Sequence, residues 1–131
     1  MRGVRRVTRI LIVDDEPFII ALLKETLEEL ENEGVEILAA GNGVEGWDII
    51  QDKRPSLIFL DVMMPKMSGY EVCQRVKQDP ELCKAYVVML TAKGQEIDRE
   101  RGAEAGADEY VTKPFDPDYI LERAHGVLSQ A

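Results

Sequence analysis

Five polar residues stand at or just beyond the carboxyl ends of short apolar runs. Asp14 and Asp15 follow RILIV, Asp61 closes SLIFLD, Thr91 closes YVVMLT and Lys113 closes EYVTK. Carboxylates brought together repel one another, and a compact cluster of them is best balanced by a hard divalent cation with oxygen ligands. Mg²⁺ is the leading candidate, with Mn²⁺ as a substitute. A hydroxyl and an ammonium on the other side, Thr91 and Lys113, suit the oxygens of a phosphoryl group. A carboxylate between a metal side and a phosphate side can act as the nucleophile of aspartyl-phosphate chemistry. Asp61 occupies that middle place.

The elements that must position these residues are written as an alternation. Apolar, β-branched runs at 9–14, 35–40, 56–61, 86–91 and 109–113 read as strands. The central runs lack polar alternation, as strands buried on both faces do. Helical patterns lie between them, at 17–32, 43–53, 68–78, 95–105 and 117–129. In the first, Ile20, Leu23, Leu27 and Leu30 recur at spacings of three and four, and Gly34 supplies a stop. Five such units predict an α/β fold, a single doubly wound five-stranded parallel sheet in the flavodoxin-like order 2-1-3-4-5 with right-handed crossovers. In that order the polar strand ends converge on one crevice.

The 131 residues fit one domain, expected over 9–131, preceded by a basic, flexible arm at 1–8. No linker or low-complexity segment interrupts the pattern, and no output domain is expected after the last helix. No apolar run approaches the ~18 residues of a membrane span, and the start MRGVRRVTR lacks the apolar core of a signal peptide, so a cytoplasmic location is expected. The net charge is −9, and because residues 1 to 9 hold four Arg and no acid, the remainder carries 12 basic against 25 acidic residues. That field disfavours direct nucleic-acid binding. Cys73 and Cys83 are too few for a disulfide framework and read as free thiols, Cys73 in the core and Cys83 in a loop. His125 reads as a solvent-facing residue without a partner.

The segments ILIVDDEP, LIFLDVMMPKMSGYEV, VVMLTAK and GADEYVTKPF closely resemble the motifs of response-regulator receiver domains of two-component signal transduction, the CheY-like family, over about Thr8 to Leu128. The resemblance implies that Asp61 is the phosphoacceptor, that Asp15 is a direct metal ligand and Asp14 one acting through water, and that the backbone carbonyl of Met63 completes the protein's share of the metal shell. It implies Thr91 as the switch hydroxyl, Lys113 as the partner of the phosphoryl group, Tyr110 as the switch aromatic, and a cis peptide between Lys113 and Pro114. The phosphoryl donor would be a sensor histidine kinase or a histidine phosphotransfer protein. Such a chain is a switch that assists its own phosphorylation and dephosphorylation, not a conventional enzyme. Output toward an unidentified downstream protein would use the face of the 95–105 helix, the last strand and the last helix. Its mixed charges, Arg99, Arg101, Glu104, Asp108, Glu109 and Arg123, could support a homodimer on phosphorylation. Met63 and Lys93, two residues beyond Asp61 and Thr91, border the path of attacking water in this family and are expected to slow loss of the phosphoryl group.

Other readings compete. Asp14, Asp15 and Glu16 also read as an N-cap cluster ahead of Pro17, with one of them capping the first helix. Gly41, Gly43 and Gly46 spell G-x-G-x-x-G, and Asp61 lies 20 residues beyond Gly41, as in a dinucleotide-binding fingerprint. That motif follows the second strand, at the sheet edge, and leaves Thr91 and Lys113 without a role. Hydrolases of the haloacid dehalogenase class need a second Asp two residues after the nucleophile, where this chain has Met63. A pseudo-receiver that binds a partner without phosphate would not need the intact set of Asp14, Asp15, Asp61, Thr91 and Lys113.

Overall fold

The computed structural model describes residues 7–92 and 104–129. Its elements are β1 (Arg9–Val13), α1 (Pro17–Thr26), α2 (Glu28–Asn32), β2 (Glu36–Ala40), α3 (Gly43–Lys53), β3 (Leu57–Asp61), α4 (Gly69–Gln78), β4 (Tyr86–Ala92), β5 (Glu109–Lys113) and α5 (Pro117–Leu128). Most of the arm at 1–8, most of the 95–105 helical pattern, and Lys93, Arg99 and Arg101 fall outside the described residues.

The five strands form one parallel sheet in the order β2-β1-β3-β4-β5, the flavodoxin-like order expected from the alternation. Every residue of β3 is buried, and β1 and β4 are buried along nearly their whole length, whereas the edge strands β2 and β5 are mostly half-exposed. Burial on both faces is what a continuous apolar run requires. Successive residues point to opposite faces. Leu11, Val13, Ile58, Leu60, Val87 and Met89 therefore face Ile50 of α3 and Val72, Cys73 and Val76 of α4. Ile10, Ile12, Leu57, Phe59, Val88 and Leu90 face Leu23 of α1, Leu30 of α2 and Ile120 and Ala124 of α5.

The first helical pattern is divided. Leu27, at φ −96° and ψ 7°, separates α1 from α2. Thr26 Oγ1 donates back to the Leu22 carbonyl at 2.8 Å, a bond that bends helices. Leu27 N–H still reaches the Leu23 carbonyl at 2.9 Å, so the apolar stripe survives the bend and Leu23, Leu27 and Leu30 stay buried. Gly34 ends the segment at φ +104°. Its N–H donates to Glu31 at 3.0 Å and that of Val35 to Leu30 at 3.1 Å, the paired bonds of a Schellman cap.

His125 is not alone: its Nε2 lies 3.1 Å from Glu29 Oε2 of α2, a partner 96 residues away in sequence. A second long-range tie secures the starts of β4 and β5. Lys77 Nζ donates to the Ala85 carbonyl at 2.7 Å and to Asp108 Oδ2 at 2.8 Å, and the same carboxylate oxygen accepts Val87 N–H at 2.8 Å. Fixing where these two strands begin fixes where Thr91, next to last in β4, and Lys113, last in β5, stand.

Candidate functional site at the strand ends

Asp14 follows β1 directly and is fully buried. Its N–H donates to Ala40 at 3.1 Å, which holds it against β2, and its Oδ1 accepts the N–H of Glu16 at 2.9 Å. One strand over, Asp61 ends β3 at 5% exposure, with Leu90 opposite it on β4, so Thr91 stands one residue further along the neighbouring strand. Asp15 is exposed at the mouth of the crevice. Asp14, Asp15 and Asp61 each bring a carboxylate oxygen to within 4.8 Å of the others. An all-oxygen, all-carboxylate set of this size fits a hard divalent cation.

Burial pushes the Asp61 carboxyl up to about 7, with the charges of Asp14 and Asp15 adding to the rise and Lys113 opposing it. Burial also raises Asp14. The cluster is thus one in which the second negative charge is costly without a cation.

Lys113 ends β5 across from these acids and is 9% exposed. Its Nζ lies 3.1 Å from Asp14 Oδ2, 3.1 Å from Glu16 Oε1 and 3.7 Å from Asp61 Oδ1. Burial disfavours its charge, but the bonds to Asp14 and Glu16 outweigh that and raise its affinity for the proton. The Lys113–Pro114 peptide is cis. Thr91 is 2% exposed, and among the described residues its Oγ1 has only long contacts, at 3.5 Å, to the Val111 carbonyl and to Thr112 Oγ1. A hydroxyl held so loosely is available to a better acceptor. Tyr110 packs against the core on the α3 and α4 side, and its hydroxyl is buried without a partner among the described residues. Burial and the neighbouring Tyr70 and Cys73 raise that phenol. Met63 lies open to solvent at 62% exposure.

The side chains of the acids after β1 make no cap bond to α1 among the described residues. Glu16 is its N-cap residue and makes no side-chain cap bond. Its carboxylate reaches across the crevice to Lys113 instead, a contact over 97 residues that no local pattern reveals. Of the three acids, one of which was expected to cap the helix, Glu16 takes the N-cap position but without a cap bond: Asp14 closes a turn onto Glu16 N–H and Glu16 faces the lysine.

The G-x-G-x-x-G segment is explained by packing. A Cβ on Gly43 would overlap the backbone carbonyl of Met67, and one on Gly46 would come within 2.9 Å of the Val13 methyls. The N-terminus of α3 is already occupied, since Asn42 Oδ1 accepts Glu45 N–H at 2.8 Å and Glu45 Oε1 accepts Gly41 N–H at 2.7 Å. The Gly41 and Glu45 amides are thus taken and are not offered to a pyrophosphate. Cys73 is buried, with Sγ 3.4 Å from the Ala105 carbonyl, and burial pushes its thiol up to about 11; Cys83 lies after α4, and both are free.

Among the described residues no helix is long and apolar enough to cross a membrane. Comparison with known proteins gives a uniform result. The family model described as the response regulator receiver domain matches residues 10–125. The chain is 42% identical over 120 residues to the DNA-binding dual master transcriptional regulator RpaA of Synechocystis, covering 92% of this chain and 48% of that protein. It is 40% identical over 123 residues to the alkaline phosphatase synthesis transcriptional regulatory protein PhoP of Bacillus subtilis, covering 94% and 49%. The chain thus spans about half the length of the curated relatives it matches. Among solved structures, the receiver domain of a signal transduction histidine kinase from Syntrophus aciditrophicus superimposes with a TM-score of 0.82 at 35% identity, covering 95% of this chain and 92% of that one. The BeF3-activated DrrB receiver domain gives 0.75 at 33%, covering 94% and 98%. With its sheet order, its strand-end residues and these relatives in agreement, the chain belongs to the response regulator receiver domain family of two-component signalling.

Proposed function

We propose that this chain is a phosphorylation-activated switch that accepts a phosphoryl group on Asp61 from the phosphohistidine of a sensor histidine kinase or a histidine phosphotransfer protein. The observation that carries this reading is the placement of Asp61: a nearly buried carboxylate at the end of the central strand, with Asp14 and Asp15 within 4.8 Å and the Lys113 ammonium 3.7 Å away. One Asp61 oxygen attacks phosphorus, the P–N bond of the donor breaks, and the imidazole nitrogen keeps the electron pair. Asp14, Asp15, Asp61 and the Met63 carbonyl would hold Mg²⁺, which supplies neutralisation of the carboxylates and of charge on the transferred oxygens. Lys113 pairs with those oxygens, and Thr91 turns its loosely held hydroxyl toward them. Tyr110 is the aromatic coupled to that movement.

Catalysis is shared with the donor, so the chain is a signalling switch and not a self-sufficient enzyme. Output toward a downstream protein is assigned to the face of β5, α5 and the 95–105 segment. On that face Arg123 Nε lies 3.0 Å from Glu109 Oε1, and Tyr119 and Tyr86 donate to the same carboxylate. Asp108 is held by Lys77. A homodimer formed on phosphorylation would exchange some of these internal pairs for pairs across the interface. No direct nucleic-acid contact is assigned to this domain, whose net charge is −9.

The test uses Mg²⁺ with acetyl phosphate, and the beryllofluoride mimic, without a kinase. Wild type is expected to take one label on Asp61, and Asp61→Asn none. Asp15→Ala is expected to keep the fold and to weaken Mg²⁺ binding. Equal labelling of Asp61→Asn would overturn the assignment.

A further inference from the structure

We propose that Glu16 is a positioning residue that holds the Lys113 ammonium away from Asp61 until a phosphoryl group arrives. This rests on the reading of Asp61 as phosphoacceptor and assigns a further residue to that reaction.

Three observations meet at Glu16. It occupies the N-cap position of α1, where Ser, Thr, Asp or Asn would accept a backbone N–H, yet it makes no such bond. Its carboxylate lies 3.1 Å from Lys113 Nζ although its own side chain is 60% exposed, so this contact is what orders it. The same Nζ is 3.1 Å from Asp14 and 3.7 Å from Asp61. Lys113 is thus shared unequally. Two acids of the β1 loop draw it to their side, and Asp61 receives the longest contact of the three.

This division has opposite effects on the two ligands of the site. With Lys113 held back, Asp61 keeps only the longest of the lysine's three ion pairs, at 3.7 Å, and remains open to a cation; the Glu16 charge adds to the attraction. A phosphoryl group on Asp61, however, needs the ammonium, which must then leave Glu16. Glu16 therefore favours the metal and opposes the phosphoryl group. A residue that only stabilised the fold would shift both in the same direction.

The test measures Mg²⁺ binding by calorimetry, and beryllofluoride binding at Mg²⁺ concentrations saturating for each variant, in wild type, Glu16→Gln and Glu16→Asp. Glu16→Gln keeps the size of the side chain and removes its charge. Its Mg²⁺ affinity is expected to fall and its beryllofluoride affinity to rise, each about two- to fivefold, the range for a partly exposed ion pair. Glu16→Asp keeps the charge on an arm too short to hold the ammonium in the same place. It should bind Mg²⁺ nearly as wild type does and bind beryllofluoride more tightly, which separates reach from through-space charge. Because Glu16 makes no cap bond, the thermal midpoint of Glu16→Gln should stay near wild type, and that of Glu16→Asp, which puts a favoured capping residue at the N-cap, should be equal to it or higher. Beryllofluoride binding by Glu16→Gln that is unchanged or weaker overturns the proposal. Wild type that fails to bind beryllofluoride at all overturns the phosphoacceptor reading, and this inference with it.

Discussion

Gly69 lies so close to Asp61 that a Cβ on it would overlap the Asp61 carbonyl oxygen. The contact is tightened by the Gly69 N–H, which donates to the Val62 carbonyl at 2.8 Å. The first residue of α4 is thereby packed against the backbone that carries the candidate phosphoacceptor. The need for glycine is steric, since the obstacle is backbone and cannot swing aside.

Gly69→Ala should therefore move the end of β3 or the start of α4. Overpacking of this kind costs roughly 1–3 kcal/mol, which for a domain of this size lowers the thermal midpoint by about 3–5 °C per kcal/mol. Asp61 moves with its carbonyl, so Mg²⁺ affinity should fall as well. Gly126→Ala in α5 is the control: nothing lies within 4 Å of its Cβ, and the change should be neutral or stabilising by up to ~1 kcal/mol. Melting curves and Mg²⁺ titrations of the two variants check this, and a Gly69→Ala protein as stable as wild type would refute it.

The pH dependence of the metal-free protein follows from the raised Asp61 carboxyl. Its pKa of about 7 in the fold exceeds its ordinary value of 3.8, so between these limits the folded state binds more protons than the unfolded one. Stability then falls as pH rises from about 4 to about 7, the reverse of a salt-bridged carboxylate. The burial and the Asp14 charge that cause the shift are both lessened in importance once the carboxyl is replaced by a neutral amide. Asp61→Asn should accordingly be more stable than wild type above pH 7, on the order of 1–3 kcal/mol, and its stability should change less with pH. Mg²⁺ should stabilise wild type more at pH 8 than at pH 6, because its ligands must be deprotonated. Urea melts in EDTA across this range supply the measurement; a wild-type stability that climbs from pH 5 to pH 7 would contradict it.

Much of this arrangement is legible in the sequence because it is written locally. Continuous apolar runs marked the buried strands; the order in which Asp14, Asp61, Thr91 and Lys113 meet came from the doubly wound topology natural to five such units, since periodicity alone does not fix it. The break at Leu27 was hidden because Leu23, Leu27 and Leu30 keep helical spacing through it, and the feature that accompanies it is a single hydroxyl, the Thr26 bond back to Leu22. The contacts of Glu16 with Lys113 and of His125 with Glu29 were hidden for another reason. Each joins residues 96 or 97 positions apart, and the residue types alone suggested a helix cap and a solvated histidine. The G-x-G-x-x-G segment shows the converse: a pattern with a known chemical use, here required by the closeness of Gly43 to Met67 and of Gly46 to Val13.

How long the phosphoryl group stays on Asp61 depends on the access of water to it. Hydrolysis requires water in line with the P–O bond, and water attacks fastest where a polar group orients it. Met63, two residues past Asp61, is 62% exposed and offers a thioether, which accepts hydrogen bonds poorly and occupies space. Met63→Asn exchanges that for an amide able to hold a water. Phosphoaspartate decay in the absence of any phosphatase should quicken several-fold, well short of the ~100-fold that follows from fully ordered geometry, since an exposed side chain orients water only part of the time. Lys93, the second residue expected to shield the group, lies outside the described residues, and combining Lys93→Glu with Met63→Asn measures whether it adds to the effect. Decay followed by loss of label at fixed pH and Mg²⁺ is the readout. A Met63→Asn rate equal to or slower than wild type would mean that this side chain does not control the approach of water.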